Sequence, residues 1–231
     1  MTQQPLATPP PQVVAFGTLS VSFDRRVLAP RTWTTSQSRW ARELLDDAPS
    51  GAVLELCSGV AHIGLLAVHG TDRRLVCVDA DPVACEYAVA NAAAAGRAGL
   101  VDVRQEPLGS FSADELFPVI IADPPWVRSE LVGCFPADPV AAIDGGADGL
   151  DLARACVAVI DRCLHAEGRA LLQLGSYAQA DLLQAELPDS LVLTKTRAEP
   201  GRGLVVKLVR PDAAEEVDGR GHHARRGDPS R

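Results

Sequence analysis

Residues 119–126, VIIADPPW, are the most informative stretch of this chain. The first four form a short, mostly β-branched apolar run, which is typical of a buried parallel strand. The two prolines that follow allow neither strand pairing nor the start of a helix, so the chain is rigid where it leaves the sheet. In open α/β sheets, ligands bind at the carboxyl ends of the strands. The stretch therefore predicts a site at this edge of the sheet, with Asp123 and Trp126 beside it.

Strand and helix patterns alternate along the rest of the chain. Short apolar runs predict strands at residues 52–56, 75–79, 100–104, 119–122, 169–174, 191–194 and 204–209. Apolar spacing of helical period and capping signals predict helices at residues 37–46, 62–68, 82–95, 150–166 and 178–187. This alternation predicts an α/β fold with a Rossmann-like, mostly parallel seven-stranded sheet and helices on both faces. The last two strands have no helix between them, which predicts an antiparallel hairpin at the sheet edge.

The length of 231 residues and the 47% hydrophobic content predict a single globular domain. We expect disordered ends at residues 1–12, which are proline-rich, and 211–231, which are polar and without periodicity. The domain would then span residues 13–210, with residues 13–50 as a hairpin and helix cover over a catalytic core at residues 51–210. The apolar segment 13–29 predicts either a β-hairpin that closes over the site or a docking surface, and strand patterning favours the hairpin.

Charge, cysteine usage and hydropathy exclude several protein classes. The formal net charge of −8 argues against broad electrostatic capture of nucleic acid, although not against a local basic groove. The six cysteines lie mostly in apolar runs, with no CxxC pair and no cysteine–histidine ligand spacing, which indicates reduced core thiols rather than a metal site. No apolar run approaches the roughly 18 residues of a membrane span, and the N-terminus lacks a secretory signal pattern. We therefore expect a cytoplasmic protein.

A second signal follows the first strand of the predicted sheet, in residues 55–64, ELCSGVAHIG. A dinucleotide fingerprint needs glycines in a G-x-G-x-x-G pattern, and alignment on Gly59 puts a cysteine and a histidine at the outer positions. The segment therefore argues against NAD or a flavin dinucleotide. The small residues Cys57, Ser58 and Ala61 still let an adenosine-bearing molecule without phosphates approach the backbone.

Two carboxylates complete this half of the site. Glu55 lies at the end of its strand and can pair with the cationic amino-acid portion of a ligand. Asp79 ends the next strand and can accept hydrogen bonds from both ribose hydroxyls. The carboxylates and the small-residue turn together fit S-adenosylmethionine better than NAD. The alternative is a tight strand–helix turn in which Asp79 caps a helix, but Asp81 already occupies the N-cap position.

The segment 55–64, Asp79, Asn91 and the DPPW motif together resemble class I S-adenosylmethionine-dependent methyltransferases. More narrowly, they resemble the HemK/PrmC-type protein-glutamine N5-methyltransferases. The similarity covers roughly residues 26–210, and its more specific segments are VLAPR at 27–31, AAIDGGADGLD at 141–151 and LGSYAQ at 174–179. The resemblance implies a methyltransferase sheet in which Glu55, Gly59 and Asp79 hold the cofactor, with Glu106 near its adenine ring. The full set of predicted cofactor-binding residues is Glu55, Cys57, Ser58, Gly59, Ala61, Asp79, Ala80, Glu106 and Asp123. Glu106, near the adenine ring, stands where the family usually has aspartate.

The DPPW motif replaces the N-P-P-Y of these relatives, but its atoms predict a chemical role. An amide or exocyclic amine is a poor nucleophile, because its lone pair is delocalised into a π system. The Asp123 carboxylate and the Pro124 carbonyl oxygen can accept its two N–H bonds and turn the lone pair towards the sulfonium methyl group. Trp126 would stack on the flat face of the acceptor. The predicted catalytic residues are therefore Asp123, Pro124, Pro125 and Trp126, and the transfer needs no metal.

The sequence leaves the methyl acceptor open. A protein glutamine side chain is the leading acceptor by resemblance. DPPW also occurs in enzymes that methylate N6 of adenine, so a nucleic-acid adenine or guanine methyltransferase is one alternative, and a catalytically silent scaffold is another. Bacterial HemK/PrmC-type enzymes carry a helical domain that grips the release factor, whereas only about 25 residues precede the matching segment here. This difference puts release factors as substrates in doubt and makes a small activating subunit a candidate partner.

Overall fold

The computed structural model describes residues 9–198 and 201–214. Its strands are β1 Gln12–Phe16, β2 Leu19–Phe23, β3 Val53–Leu56, β4 Leu75–Asp79, β5 Val101–Gln105, β6 Phe117–Ala122, β7 Leu164–Leu174, β8 Val192–Ala198 and β9 Leu204–Val209. Its helices are α1 Thr35–Leu45, α2 His62–Val68, α3 Pro82–Ala94, α4 Asp151–Cys163 and α5 Tyr177–Ala185.

Seven of these strands form one sheet in the order β5-β4-β3-β6-β7-β9-β8. The pairs from β5 to β7 are parallel, whereas β9 pairs antiparallel with both β7 and β8. The predicted fold class, with its antiparallel edge hairpin, is confirmed. The chain runs outward from β3 to β5 and then returns to β6 on the other side of β3, so the strand order reverses between β3 and β6. Such a reversal leaves a crevice at the carboxyl ends of the strands.

The central strands are buried on both faces because helices cover each side of the sheet. On one face, side chains such as Leu54 and Ile120 pack with α4 and α5. On the other face, alternate residues such as Val53 and Ile121 pack with α1, α2 and α3. Ile120 is fully buried, and truncation of such a side chain to alanine costs about 2–5 kcal/mol. The core thus fixes the positions of the strand ends that carry the site.

Helix α4 is shorter than predicted, and β7 is longer. The apolar pattern predicted a helix to residue 166, but the helix ends at Cys163 and Leu164 adopts an extended conformation. Leu164 pairs with Phe117 of β6, and the register shifts before Arg169 pairs with Val119. The prediction was wrong here because sheet pairing buries Leu164 against β6, which outweighs the helical pattern of the sequence.

The predicted N-terminal hairpin is present as the antiparallel pair β1 and β2. It packs on the helices instead of closing over the carboxyl ends of the strands. The amide of Asn91 in α3 bonds both to the backbone N–H of Ser22 and to its carbonyl oxygen. Tyr87, also in α3, donates its O–H to the buried carboxylate of Asp24 at 2.9 Å. Within the predicted segment 13–29, residues 26–29, and not the two strands, contribute to the lining of the cavity at the carboxyl ends of the sheet strands.

The ends of the chain are described only in part. Within the proline-rich end predicted to be disordered, β1 already begins at Gln12, and residues 211–214 form a helical turn. Residues 1–8 and 215–231, on which the rest of the disorder prediction falls, lie outside the described residues. Among residues 9–198 and 201–214, no helix combines the length and the apolar character that a bilayer crossing demands.

Candidate active site

A cavity of about 850 Å³ lies at the carboxyl ends of β3, β4 and β6, where the strand order reverses. We call it the central cavity. Its volume falls in the range typical of small-molecule sites. Ten predicted site residues line it: Cys57, Ser58, Gly59, Asp79, Ala80, Glu106, Asp123, Pro124, Pro125 and Trp126. The structure thus brings the two halves of the predicted site into one space, and it leaves Glu55 and Ala61 out of the wall.

The turn from β3 to α2 keeps a glycine-type backbone, although two of its residues are not glycine. Cys57, Gly59 and Ala61 all have positive φ angles, of 52°, 52° and 64°. A side chain in this left-handed region costs about 1–2 kcal/mol. A Cβ atom added at Gly59 would meet nothing within 4 Å, so the backbone there faces open space. The turn therefore offers bare backbone to a ligand in the central cavity.

The Glu55 side chain holds this turn in place through a contact with α2. Its Oε1 accepts the N–H of Gly64 at 2.9 Å, and the Cys77 thiol lies 3.6 Å from its Oε2. Gly64 has no room for a Cβ because the Glu55 carboxyl and Leu75 occupy that space. Burial raises the pKa of Glu55 to about 8. Glu55 thus contacts α2 and not the central cavity, and its pairing with an amino group stays a prediction without a direct contact.

Asp79 joins the turn to the start of α3 and also lines the central cavity. Its Oδ2 accepts the N–H of Gly59 at 2.7 Å, and its Oδ1 accepts the N–H of Asp81 at 2.9 Å. Burial raises its pKa, and these hydrogen bonds oppose the rise. Asp81, not Asp79, caps α3 by accepting the N–H of Val83. Each Asp79 oxygen retains a further lone pair, so the carboxylate can still accept a ribose hydroxyl.

Polar atoms without partners border the same turn. The Ser58 hydroxyl oxygen and the His62 Nδ1 are buried and have no hydrogen-bond partner among the described residues. Both residues line the central cavity. Burial lowers the pKa of His62 to about 4, so its imidazole is neutral at pH 7. Buried polar atoms are nearly always paired, so a polar ligand that supplies partners here fits the cavity, as the adenosine and amino-acid groups of S-adenosylmethionine do.

Glu106 extends the cofactor half of the cavity beyond Asp79. It follows the end of β5, and its backbone N–H bonds to the Asp79 carbonyl oxygen at 3.0 Å. Glu106 and the next three residues, 107–109, line the cavity. The two adjacent strand ends therefore present Asp79 and Glu106 side by side. This arrangement suits a ligand that extends from a ribose to a base.

The DPPW motif forms the opposite part of the wall. The Asp123 side chain has no hydrogen bond within residues 9–198 and 201–214, and burial raises its pKa to about 7. The carbonyl oxygens on either side of it differ. The Ala122 oxygen accepts the Gln37 side chain at 3.0 Å, whereas no donor in the described chain bonds to the Pro124 oxygen. The motif therefore presents two free acceptors, the Asp123 carboxyl and the Pro124 carbonyl.

Trp126 contacts both the protein and the cavity. The six-membered part of its ring packs on Gly175, just after β7, so closely that a Cβ at Gly175 has no room. Its carbonyl oxygen accepts the side chain of Gln179 at 3.0 Å. Trp126 also lines the central cavity and is partly exposed. The ring is thus supported from behind, as a stacking surface for a flat group would be.

Sequence reasoning missed most of the cavity rim. The segments 26–34 and 135–143 contribute to the lining, and the Arg31 guanidinium joins them by contacting both Asp138 oxygens at 2.6 Å. VLAPR at 27–31 was the one signal for the first segment. AAIDGGADGLD at 141–151 covers only the end of the second, and nothing in the pattern around Phe135 or Asp138 points to a site. These residues meet only through the tertiary fold.

Acidic groups outnumber basic ones around the central cavity. Its charged lining residues are Asp79, Asp81, Glu106, Asp123, Asp138, Arg26, Arg31 and Arg202. Two of the arginines are already paired, Arg26 with Asp24 and Arg31 with Asp138. Polynucleotides need cations that are free to contact phosphates. The mouth of the cavity therefore has little of the basic character that a nucleic-acid groove requires.

Comparison with known proteins agrees with these features. No family model matches the chain. The ribosomal protein uL3 glutamine methyltransferase of Bordetella pertussis is 30% identical over 176 residues, which are 72% of this chain and 57% of that protein. The release factor glutamine methyltransferase of Mycolicibacterium smegmatis is 30% identical over 176 residues, covering 74% of this chain and 62% of that protein. The chain therefore spans less than two thirds of the length of these relatives.

Solved structures share the fold at lower identity. The catalytic domain of hMettl16, in complex with a MAT2A 3'UTR hairpin, has a TM-score of 0.65 at 16% identity, over 82% of this chain and 74% of that one. The N-methyltransferase NodS of Bradyrhizobium japonicum, in complex with S-adenosyl-L-homocysteine, has a TM-score of 0.57 at 13% identity. The match covers 81% of this chain and 95% of that one. The chain therefore has the fold of these methyltransferases, and its sequence is similar to protein glutamine methyltransferases, as its motifs predicted.

Proposed function

We propose that the protein transfers a methyl group from S-adenosylmethionine to a planar amide or amino nitrogen, with the side-chain amide of a protein glutamine as acceptor. One observation carries the proposal. The Asp123 carboxyl and the Pro124 carbonyl, both without partners among the described residues, line the same cavity as Asp79 and the Gly59 turn. A methyl-acceptor clamp and a nucleoside site would thus share one space. The similarity to glutamine methyltransferases supports glutamine as the acceptor.

The cofactor would be held by the turn and by the two neighbouring strand ends. Asp79 would accept the ribose hydroxyls, Glu106 would lie near the adenine, and Ser58 and Gly59 would border the amino-acid portion. S-Adenosylmethionine supplies an electrophilic methyl group on a sulfonium. The residues of this chain would position the methyl group and the acceptor nitrogen, because an in-line displacement depends on the distance and the angle between the reacting atoms.

The clamp would act on the acceptor nitrogen. Asp123 and the Pro124 carbonyl oxygen would each accept one N–H of the acceptor, which fixes the plane of the NH₂ group. The Trp126 ring would support the flat face of the amide. Positive charge develops on the nitrogen during transfer, and an ionised Asp123 stabilises it. With a pKa of about 7, the Asp123 carboxylate is also suited to receive the proton that the nitrogen then loses.

Several observations favour a protein acceptor over a nucleic acid. The cavity lining contains more acids than free cations, and the formal net charge of the chain is −8. The glutamine methyltransferases that the chain resembles act on ribosomal protein uL3 and release factors, as their names state. We extend these points to three further proposals: a cytoplasmic location, a protein substrate as partner and a catalytic domain over residues 13–210. A small activating subunit stays a prediction.

The test is transfer of radiolabelled methyl groups from S-adenosylmethionine into a cell extract by the purified protein. We expect label that protease releases and nuclease does not. Label that nuclease releases would support the adenine or guanine alternative. Cofactor binding measured by calorimetry, without transfer to any fraction, would support a catalytically silent scaffold.

A further inference from the structure

Gln179 is a buried polar residue for which the proposed function has no role so far. It lies in the first turn of α5, in the LGSYAQ segment, and is 7% exposed. Ser176 caps this helix, and its hydroxyl oxygen accepts the Gln179 backbone N–H at 3.2 Å. The helix start therefore fixes the direction in which the Gln179 side chain leaves the backbone.

The Gln179 amide joins three segments of the chain. Its Oε1 accepts the N–H of Gly175 at 2.8 Å, so it holds the end of β7. Its Nε2 donates to the carbonyl oxygen of Trp126 at 3.0 Å and to that of Asp148 at 2.9 Å. A primary amide has two N–H donors, and both are used here. A glutamate would keep the acceptor oxygen but lose both donors.

The glycine-rich loop 144–149 is thereby fixed against the DPPW motif. Backbone bonds run from the Val127 N–H to the Ile143 oxygen, from the Gly145 N–H to the Val127 oxygen and from the Ser129 N–H to the Gly146 oxygen, at 2.8–3.0 Å. Gly149 has a φ of 80°, and the Gln179 amide and the Trp126 carbonyl fill the space of a Cβ there. The loop 144–149 therefore supports the DPPW motif from the side of α5, and we call it the braced loop.

From these contacts we propose that Gln179 is a positioning residue, which holds Trp126 and the braced loop so that the acceptor clamp is formed before substrate binds. The proposal rests on the proposed methyl transfer. Gln179 does not line the central cavity, so it acts through the Trp126 backbone. None of its three partners belongs to the β3–α2 turn or to Asp79, so the cofactor half is independent of it.

The perturbation is Gln179→Met, which keeps the side-chain length and removes all three hydrogen bonds. Displacing a reacting group by about 1 Å can cost about 100-fold in rate. We therefore expect kcat/KM for the acceptor to fall about 10–100-fold, and the Kd for S-adenosylmethionine to change less than about twofold. Gln179→Glu should behave similarly, because it lacks the two donors. Gln184→Met, at an exposed position on the same helix, is the matched control and should change neither quantity.

Two further readouts separate positioning from general stability. In a double-mutant cycle with Trp126→Ala, the Gln179→Met effect on kcat/KM should largely disappear, because the ring that it positions is absent. Additive losses would overturn the proposal. Equal losses of acceptor turnover and cofactor affinity would also overturn it, since they indicate a general structural role.

Hydrogen exchange tests the brace even if no methyl acceptor is found. The Val127, Gly145 and Ser129 amides should exchange faster in Gln179→Met than in the wild type. In Gln184→Met their exchange rates should equal those of the wild type. Unchanged exchange in Gln179→Met would overturn the proposal while leaving the proposed function in place. Faster exchange in a protein without any transferase activity would support the brace and contradict the proposed function.

Discussion

Replacing Asp123 with asparagine should change how the stability of the protein depends on pH. The Asp123 carboxyl has no hydrogen-bond partner among the described residues, and burial raises its pKa from 3.8 to about 7. Asparagine has a similar shape and stands at this position in the N-P-P-Y relatives. It keeps an acceptor oxygen but cannot ionise, so the variant isolates the contribution of the charge.

The sign and size of the effect follow from the two pKa values. Between pH 3.8 and about 7 the folded state holds a proton that the unfolded state has lost, so wild-type stability falls as pH rises through this window. Above about pH 7 the loss of stability that this carboxyl causes is complete. A rise from 3.8 to about 7 corresponds to at most about 4 kcal/mol, at 1.36 kcal/mol per pH unit. Because the side chain is partly exposed to the cavity, we expect a measured difference of about 1–3 kcal/mol.

Urea unfolding of both proteins at pH 5 and pH 8, followed by circular dichroism, measures this difference. The free energy of unfolding of the wild type should fall from pH 5 to pH 8 by more than that of Asp123→Asn. Other groups titrate in both proteins, so their contributions cancel in the comparison. Identical pH dependence in the two proteins would show that burial does not raise the pKa of Asp123. Asp123 would then no longer be suited to take up the proton.

Three other substitutions test separate parts of the site. Asp79→Ala should weaken S-adenosylmethionine binding at least tenfold by calorimetry, and unchanged affinity would remove the ribose assignment. Asp123→Ala should abolish methyl transfer with little change in cofactor affinity, as expected for an interaction made in the transition state; surviving turnover would contradict the clamp. Ala61→Gly should cost less stability in urea unfolding than Ala67→Gly in α2, by about 1 kcal/mol, because both methyl groups are fully buried but only Ala61 has a positive φ, of 64°. Equal losses in the two variants would contradict the backbone strain at Ala61.

The sequence predicted the sheet well because the buried strands are short apolar runs with clear boundaries. The bounds predicted for α2, β4 and β9 agree with the structure, and Asp81 caps α3 as expected. The junction of α4 and β7 was mispredicted, because the apolar pattern continues from the helix into the strand. There the choice between helix and strand depends on pairing with Phe117, a distant residue.

Within the site, the sequence predicts which strand-end residues lie together, but it carries no signal for contacts that are made across the fold. Ten of the predicted residues line one cavity because parallel strands end at the same edge. The direction of the Glu55 side chain, into α2 and away from the cavity, is set by its hydrogen bond to Gly64. The three partners of Gln179 come from segments far apart in sequence. Contacts between such distant segments leave no signal in a local sequence pattern.

In the proposed function, the Asp123 clamp directs methyl transfer to a glutamine amide. Acid hydrolysis of the labelled protein product tests it most directly, because cleavage of an N-methylated side-chain amide releases methylamine. We expect the label to become volatile as methylamine once the hydrolysate is made alkaline, and the Asp123→Ala protein to yield none. Label that stays non-volatile in the alkaline hydrolysate, or an undiminished yield from Asp123→Ala, would contradict this role of the clamp.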